Sequence, residues 1–338
     1  MTADRGLVRP DGSGLACAAG RFWIDPWRPV RDAVVTHAHA DHARPGSRRY
    51  YAAADGIELL RRRLGEDADL VGVPYGEPFR LGDTELTFHP AGHVLGSAQV
   101  CVDDGATRVC VTGDFKRAAD PTCRPFEPVA CDVLITEATF ALPVYRWPPG
   151  HEVVAEIRDW HAECRAEGRS AVLFCYALGK AQRVLAELHA LGFAETVWVH
   201  GALAPLIEVY RTAGVTMPPT CRVSDAADDA DFTGSLVLAP PSARGTTWLR
   251  RFQPLSTGFA SGWMRVRGNR RRRSVDRGFV LSDHADWPDL LRTVDDARAR
   301  VVFATHGQSD VLARYLQESR DGLTAHVLET AFEGEVDD

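Results

Sequence analysis

Residues 37–42 read His37-Ala38-His39-Ala40-Asp41-His42, placing four metal-ligand side chains within six positions. They follow the apolar run Arg31–Thr36 (RDAVVT), which reads as a buried strand. Side chains on a strand alternate between its faces, so four ligands this close cannot all converge from regular β structure. They fit a loop at a strand end, wrapped around a cation. Imidazole and carboxylate together suit Zn²⁺ or Mn²⁺. The bland alternative is a polar helix start with incidental histidines. Against it, further ligand types recur in the same setting. His93 lies in HPAGHVLGSA, after a strand ending near Phe88, Asp114 ends the run CVTGD, and His306 ends VVFATH. Each stands where a buried apolar strand gives way to polar sequence, the place where sites gather in layered α/β folds. A lone histidine is more often structural, and His151, His161, His189, His200 and His326 are read that way.

The elements around these residues alternate between short β-branched runs and helical stretches, the pattern of an α/β fold. Strands are expected at 98–102, 108–112, 132–136, 170–176, 197–199, 235–238, 278–281 and 300–304. Helices are expected at 152–167, 180–191 and about 288–299. The first of these carries an apolar stripe of Val153, Ile157 and Trp160. Pro143–Gly150 (PVYRWPPG) reads as a linker, and the arginine-rich stretch before Gly278 as a second boundary. The division is therefore 1–145, 146–278 and 279–338.

Composition narrows the class. With 338 residues, 45% of them hydrophobic and 25% charged, the chain is long enough for a full core without staples. No stretch approaches the ~18 apolar residues of a membrane span, and residues 1–20 lack the apolar core of a signal peptide. The eight cysteines (17, 101, 110, 123, 131, 164, 175 and 221) include no C-x-x-C pair. They are expected to be reduced, in a cytoplasmic protein. Net charge is −7, but Arg244–Arg277 holds ten arginines and one acid, 10 − 1 = +9, leaving −16 for the remainder. The run Arg270, Arg271, Arg272 and Arg273 suits phosphate-backbone contact, with a solvated basic loop as the alternative. Phe252, Phe259 and Trp263 could stack bases, although core packing is the commoner use of such residues.

HAHADH followed by AGHVLGSA, TGDF and a late strand-end histidine resembles the metallo-β-lactamase superfamily. The resemblance implies a four-layer αββα fold and two divalent metal ions, Zn²⁺ or Mn²⁺. It implies that His37, His39 and His93 hold one ion, that Asp41, His42 and His306 hold the other, and that Asp114 bridges them. Asp25, in FWIDPW, matches an early aspartate that orients a ligand histidine. Phe174–Val184 (FCYALGKAQRV) resembles a signature of the β-CASP nucleases, whose strand–turn–helix would present helix amides and Lys180 to a phosphate. Ser282-Asp283-His284-Ala285-Asp286 resembles the motif whose histidine faces the scissile phosphate, and Glu137, in LITEATF, the acid that supports it. Block 146–278 then corresponds to a short αβ β-CASP cap inserted into the lactamase fold.

Within that group, GFASGWMRVRG (258–268), the arginine cluster and RGFVLSDHADW (277–287) resemble the bacterial ligase-associated DNA damage response exonucleases. That resemblance implies DNA exonuclease action in repair, beside an ATP-dependent DNA ligase and a helicase. Asp41, His284 and Glu137 are the expected catalytic residues, with Lys180, Ser282 and Arg270–Arg273 on substrate. An RNA-processing nuclease of the mRNA 3′-end or RNase J kind is the main alternative, because both substrates break the same phosphodiester. A small-molecule metallohydrolase and a non-catalytic nucleic-acid scaffold are further alternatives.

Overall fold

The structure, a computed structural model, describes residues 6–266 and 275–330. The chain forms two compact units. One comprises Met1–Arg146 together with His284–Val336, and the other is centred on Trp147–Asp283. The second unit thus runs five residues beyond the 278 expected from sequence.

The first unit has two sheets. Strands Arg9–Pro10, Leu15–Cys17, Phe22–Ile24, Asp32–Val34, Arg49–Ala53 and Leu70–Val73 form one, side by side in chain order. The other has seven strands in the order Thr324–Val327, Val301–Thr305, Val133–Glu137, Arg108–Val111, Ala98–Asp103, Thr84–Pro90, Phe79–Leu81. Alternation along these strands explains the packing. Ala98, Val100, Val102, Val109, Val111 and Ile135 share a core with Ile24, Val34 and Ala53 of the first sheet. Their neighbours Cys101, Cys110 and Leu134 turn the other way, onto the helices Trp287–Ala297 and Ser309–Ser319. A sheet buried on both faces reads as continuous apolar sequence, as the runs near 100, 110 and 135 do. Helix Trp287–Ala297 is capped by Asp286, whose side chain accepts the Asp289 N–H. It buries Leu290, Thr293, Val294 and Ala297, spaced as one helical face requires.

The second unit is a six-stranded parallel sheet in the order Thr220–Arg222, Val197–Val199, Leu236–Ala239, Ser170–Phe174, Leu255–Ala260, Arg277–Phe279. Helices Gly150–Ala166, Lys180–Ala190 and Ala204–Thr212 belong to it. Phe252 and Phe259 lie in its core beside Val172, Phe174 and Val237, so they pack rather than stack on bases. Among the described residues, no helix is long and apolar enough to cross a membrane.

Candidate metal centre

His37–His42 occupy the turn after Asp32–Val34. His93 lies beyond Thr84–Pro90, Asp114 beyond Arg108–Val111, and His306 directly after Val301–Thr305. Glycines permit two of these turns. Gly113, just before Asp114, has φ +56°, and a Cβ there would stand 2.7 Å from the Thr36 side chain. Gly92, just before His93, has φ +73° and would place a Cβ 2.3 Å from the Lys116 carbonyl oxygen. Only glycine fits both the conformation and the space.

These turns gather the ligand atoms. Candidate donors of His37, His39, His93 and Asp114 lie within 4.8 Å of one another. Those of Asp41, His42 and His306 form a second group, and those of Asp114, Glu137 and His284 a third. His39 Nδ1 is 3.0 Å from His37 Nε2 and 3.0 Å from His93 Nε2. Asp114 Oδ2 stands 3.5 Å from His37 Nε2, 3.4 Å from His42 Nε2 and 3.9 Å from His93 Nε2, so it lies between the first two groups.

The layer behind is hydrogen-bonded. Asp25 is buried with φ +43°. Its Oδ2 lies 2.7 Å from His42 Nδ1, and its Oδ1 accepts the Thr36 N–H at 2.8 Å. Thr36 is a residue the sequence reading missed. Its hydroxyl donates to Asp25 at 2.6 Å and lies 3.0 Å from His37 Nδ1, coupling two histidines to one carboxylate. The available signal was its place, a threonine between an apolar strand and the first ligand. Ser97, also missed, accepts the N–H groups of His93 and Val94 through its hydroxyl. His284 Nδ1 lies 3.1 and 3.0 Å from the two oxygens of Glu137, whose Oε1 also accepts the Phe115 N–H at 2.8 Å. The His284 and His93 rings are 4.7 Å apart.

Electrostatics match the donor chemistry. Burial holds His37 well below its ordinary pKa, with the neighbouring His42 acting in the same direction. Burial pushes His306 down to about 4, against the opposing charge of Asp114. Both are thereby kept as neutral imidazoles, the form that binds metal. Burial opposes charge on His42 too, but Asp114, Asp41 and Asp25 outweigh it and raise its pKa well above normal. Burial would raise Asp114, yet His42, His284 and His37 hold it well below the usual carboxylate range. Asp114 Oδ1 is buried with no hydrogen-bond partner. A buried carboxylate oxygen left so is costly in an apoprotein and natural for a ligand. Three donors around one tetrahedral ion at about 2.0–2.1 Å would stand about 3.3 Å apart, close to the imidazole spacing here. The residues fit divalent metal.

Lys180 and Ser282, both expected at the substrate, are buried. Lys180 is 1% exposed, and its Nζ lies 2.7 Å from Asp283 Oδ2. Arg183 joins the same buried network, donating to Glu187 Oε1, the Ser282 carbonyl and Asp283 Oδ1. Lys180 is therefore spent inside the protein. The helix start it opens is also closed off. Gln182 Oε1 accepts the Gly179 N–H, Tyr176 O accepts that of Ala181, and the helix is buried from Lys180 to Leu188. Ser282 is buried, with its carbonyl on Arg183. Arg270, Arg271, Arg272 and Arg273 lie outside the described residues.

No family model matches the chain. It is 33% identical over 303 residues, 88% of its length, to a probable DNA ligase of Opitutus terrae, but spans 29% of that protein. It is 28% identical over 198 residues to a ribonuclease of Thermus thermophilus, covering 51% of this chain and 45% of the relative. It is 28% identical over 183 residues to an RNase J-like protein of Methanocaldococcus jannaschii, covering 47% and 43%. The relatives of the chain include β-CASP nucleases of the metallo-β-lactamase superfamily. The chain spans less than half the length of each of these β-CASP and ligase-named relatives. A solved structure of a protein of unknown function from Enterococcus faecalis shares the fold, with a TM-score of 0.60 at 13% identity, over 89% of this chain and 80% of that one.

Proposed function

We propose that the protein is a two-metal DNA exonuclease that trims ends for ligation. In this reading the unit with two sheets is a four-layer αββα metallo-β-lactamase domain and Trp147–Asp283 is a short β-CASP cap. One observation carries the choice of DNA. The match that covers nearly all of this chain falls on less than a third of a protein named as a DNA ligase. A region similar to this chain thus shares a polypeptide with the rest of that protein, and end cleaning is the chemistry a ligase needs beside it.

His37, His39 and His93 would hold one ion, Asp41, His42 and His306 the other, with Asp114 shared between them. Bound metal supplies a hydroxide near neutral pH and neutralises charge on the phosphate. The chain's own residues do the rest. Asp25 and Thr36 orient His42 and His37. Asp41 accepts a hydrogen bond from the attacking water. Glu137 is hydrogen-bonded to Nδ1 of His284, so proton transfer to the leaving oxygen would run through Nε2.

The 28% match to a ribonuclease favours a second reading, RNA as substrate. The same phosphodiester chemistry serves either. Single-stranded DNA and RNA of one sequence, each labelled at one end and then the other, distinguish them in Mn²⁺ or Zn²⁺. Stepwise shortening of DNA, with RNA cut much more slowly, is the expected result. Faster loss of RNA, or internal cuts alone, would overturn the DNA exonuclease reading.

A further inference from the structure

Three of the eight cysteines meet in one core region, on the sheet face opposite the one packed on the first sheet. Cys101 lies on Ala98–Asp103, Cys110 on Arg108–Val111, and Cys131 just before Val133–Glu137. Cys101 and Cys110 are direct partners across an antiparallel pair. The turn joining their strands is closed by the Asp104 N–H on the Thr107 carbonyl. Pairs alternate from that turn between hydrogen-bonded and non-hydrogen-bonded, which puts Cys101 and Cys110 in the non-hydrogen-bonded class. There the Cα atoms stand about 4.5 Å apart and side chains are closest. A disulfide tolerates Cα separations of about 4.4–6.8 Å.

The surroundings activate one of the two thiols. Cys110 faces Cys101 across the strand pair, with its thiol 3.9 Å from the Gln99 Oε1, and both Cys110 and His89 favour the Cys101 thiolate. His89 is itself braced by Glu127, with Nδ1 and Oε1 3.1 Å apart. These neighbours overcome burial and pull the Cys101 thiol down to about 6. The adjacent Cys101 and burial together push Cys110 well above the thiol range, so it stays protonated. A thiolate beside a cationic imidazole is the reactive form of cysteine.

We propose that Cys101 and Cys110 form a redox modification site, in which a hydroperoxide converts the cross-strand dithiol to a reversible disulfide. Cys101 Sγ attacks the peroxide oxygen, giving a sulfenic acid and releasing hydroxide, or alkoxide from an organic peroxide. Cys110 Sγ then attacks Cys101 Sγ, the S–S bond forms, and the sulfenic oxygen leaves as water with the Cys110 proton. The peroxide is reduced and the two thiols are oxidised.

Folded full-length protein is treated with hydrogen peroxide, its remaining thiols are alkylated, and its peptides are mapped by mass spectrometry. The expected product joins the Cys101 and Cys110 peptides with loss of two hydrogens and reverts in dithiothreitol. Cys131→Ser leaves it intact. Cys110→Ser abolishes it but lets dimedone trap a sulfenic acid on Cys101. The oxidation rate should rise through pH 6 rather than near 9, because the thiolate is the nucleophile. A bridge to Cys131 overturns the proposal. So does a Cys101 that stays reduced while exposed Cys221 is modified.

Discussion

At the scale of single residues, the centre separates side chains that would hold metal from those that hold the holders. His37, His39, His42, His93, Asp114 and His306 were legible from type and from position at strand ends. Asp25 was legible only through resemblance, since an aspartate in FWIDPW carries no mark of its own. Thr36 and Ser97 were not legible, because a hydroxyl's hydrogen bonds depend on chain folding and not on spacing. Asp25→Asn should test the supporting layer. It keeps the shape but removes the charge facing His42 Nδ1 at 2.7 Å. Loss of such a partner typically weakens metal binding about 10–100-fold. Titration of demetallated protein with Zn²⁺ against a competing chelator should show that loss at one of two sites. His284→Ala should act differently. It removes the group braced by Glu137, so kcat should fall roughly 10²–10⁴-fold with little change in KM. If KM alone rises, His284 binds substrate and does not move a proton.

At the scale of elements, strands buried on both faces announced themselves as continuous apolar runs, and Ala98–Asp103, Arg108–Val111 and Val133–Glu137 fall close to their expected bounds. The strands Leu15–Cys17, Phe22–Ile24 and Leu70–Val73 were not named from sequence. Three or four residues give no periodicity to read. The helix opening at Lys180 was legible as a helix, but its role was not. Glycine followed by lysine at a helix start looks the same whether the charge faces a phosphate or a buried aspartate. Lys180→Met separates those uses. An internal pair stripped of one charge commonly costs about 3–5 kcal/mol, toward the lower end here because Arg183 still faces Asp283. Urea unfolding should show that destabilisation, with nucleic-acid affinity little changed in the folded fraction. Full stability with weakened binding would return Lys180 to the substrate.

At the scale of the whole chain, charge is the quantity that separates a nucleic-acid enzyme from a small-molecule hydrolase with the same metal ligands. The net charge of −7 repels a polyanion on average, so any phosphate contact must be local. The +9 of Arg244–Arg277 is the concentration of charge that meets this need. Part of it is committed elsewhere: Arg251 donates to the Val223 and Ala227 carbonyls, and Arg277 pairs with Glu163. Arg270–Arg273, outside the described residues, are the remaining block, and their use can be tested in solution. If they neutralise phosphates, binding releases counterions, and log affinity falls with log salt by roughly 0.7 per contact on a single strand. Serine at all four positions should weaken binding and flatten that slope by roughly two to three units, allowing one side chain to face away. The loss should be alike for every base sequence, because phosphates carry no code. Cleavage at saturating substrate should change far less, since these residues are not proposed to hold metal. An unchanged affinity and slope would mean that the cluster is solvated, and the charge argument for a nucleic-acid substrate would fall while the metal centre stood.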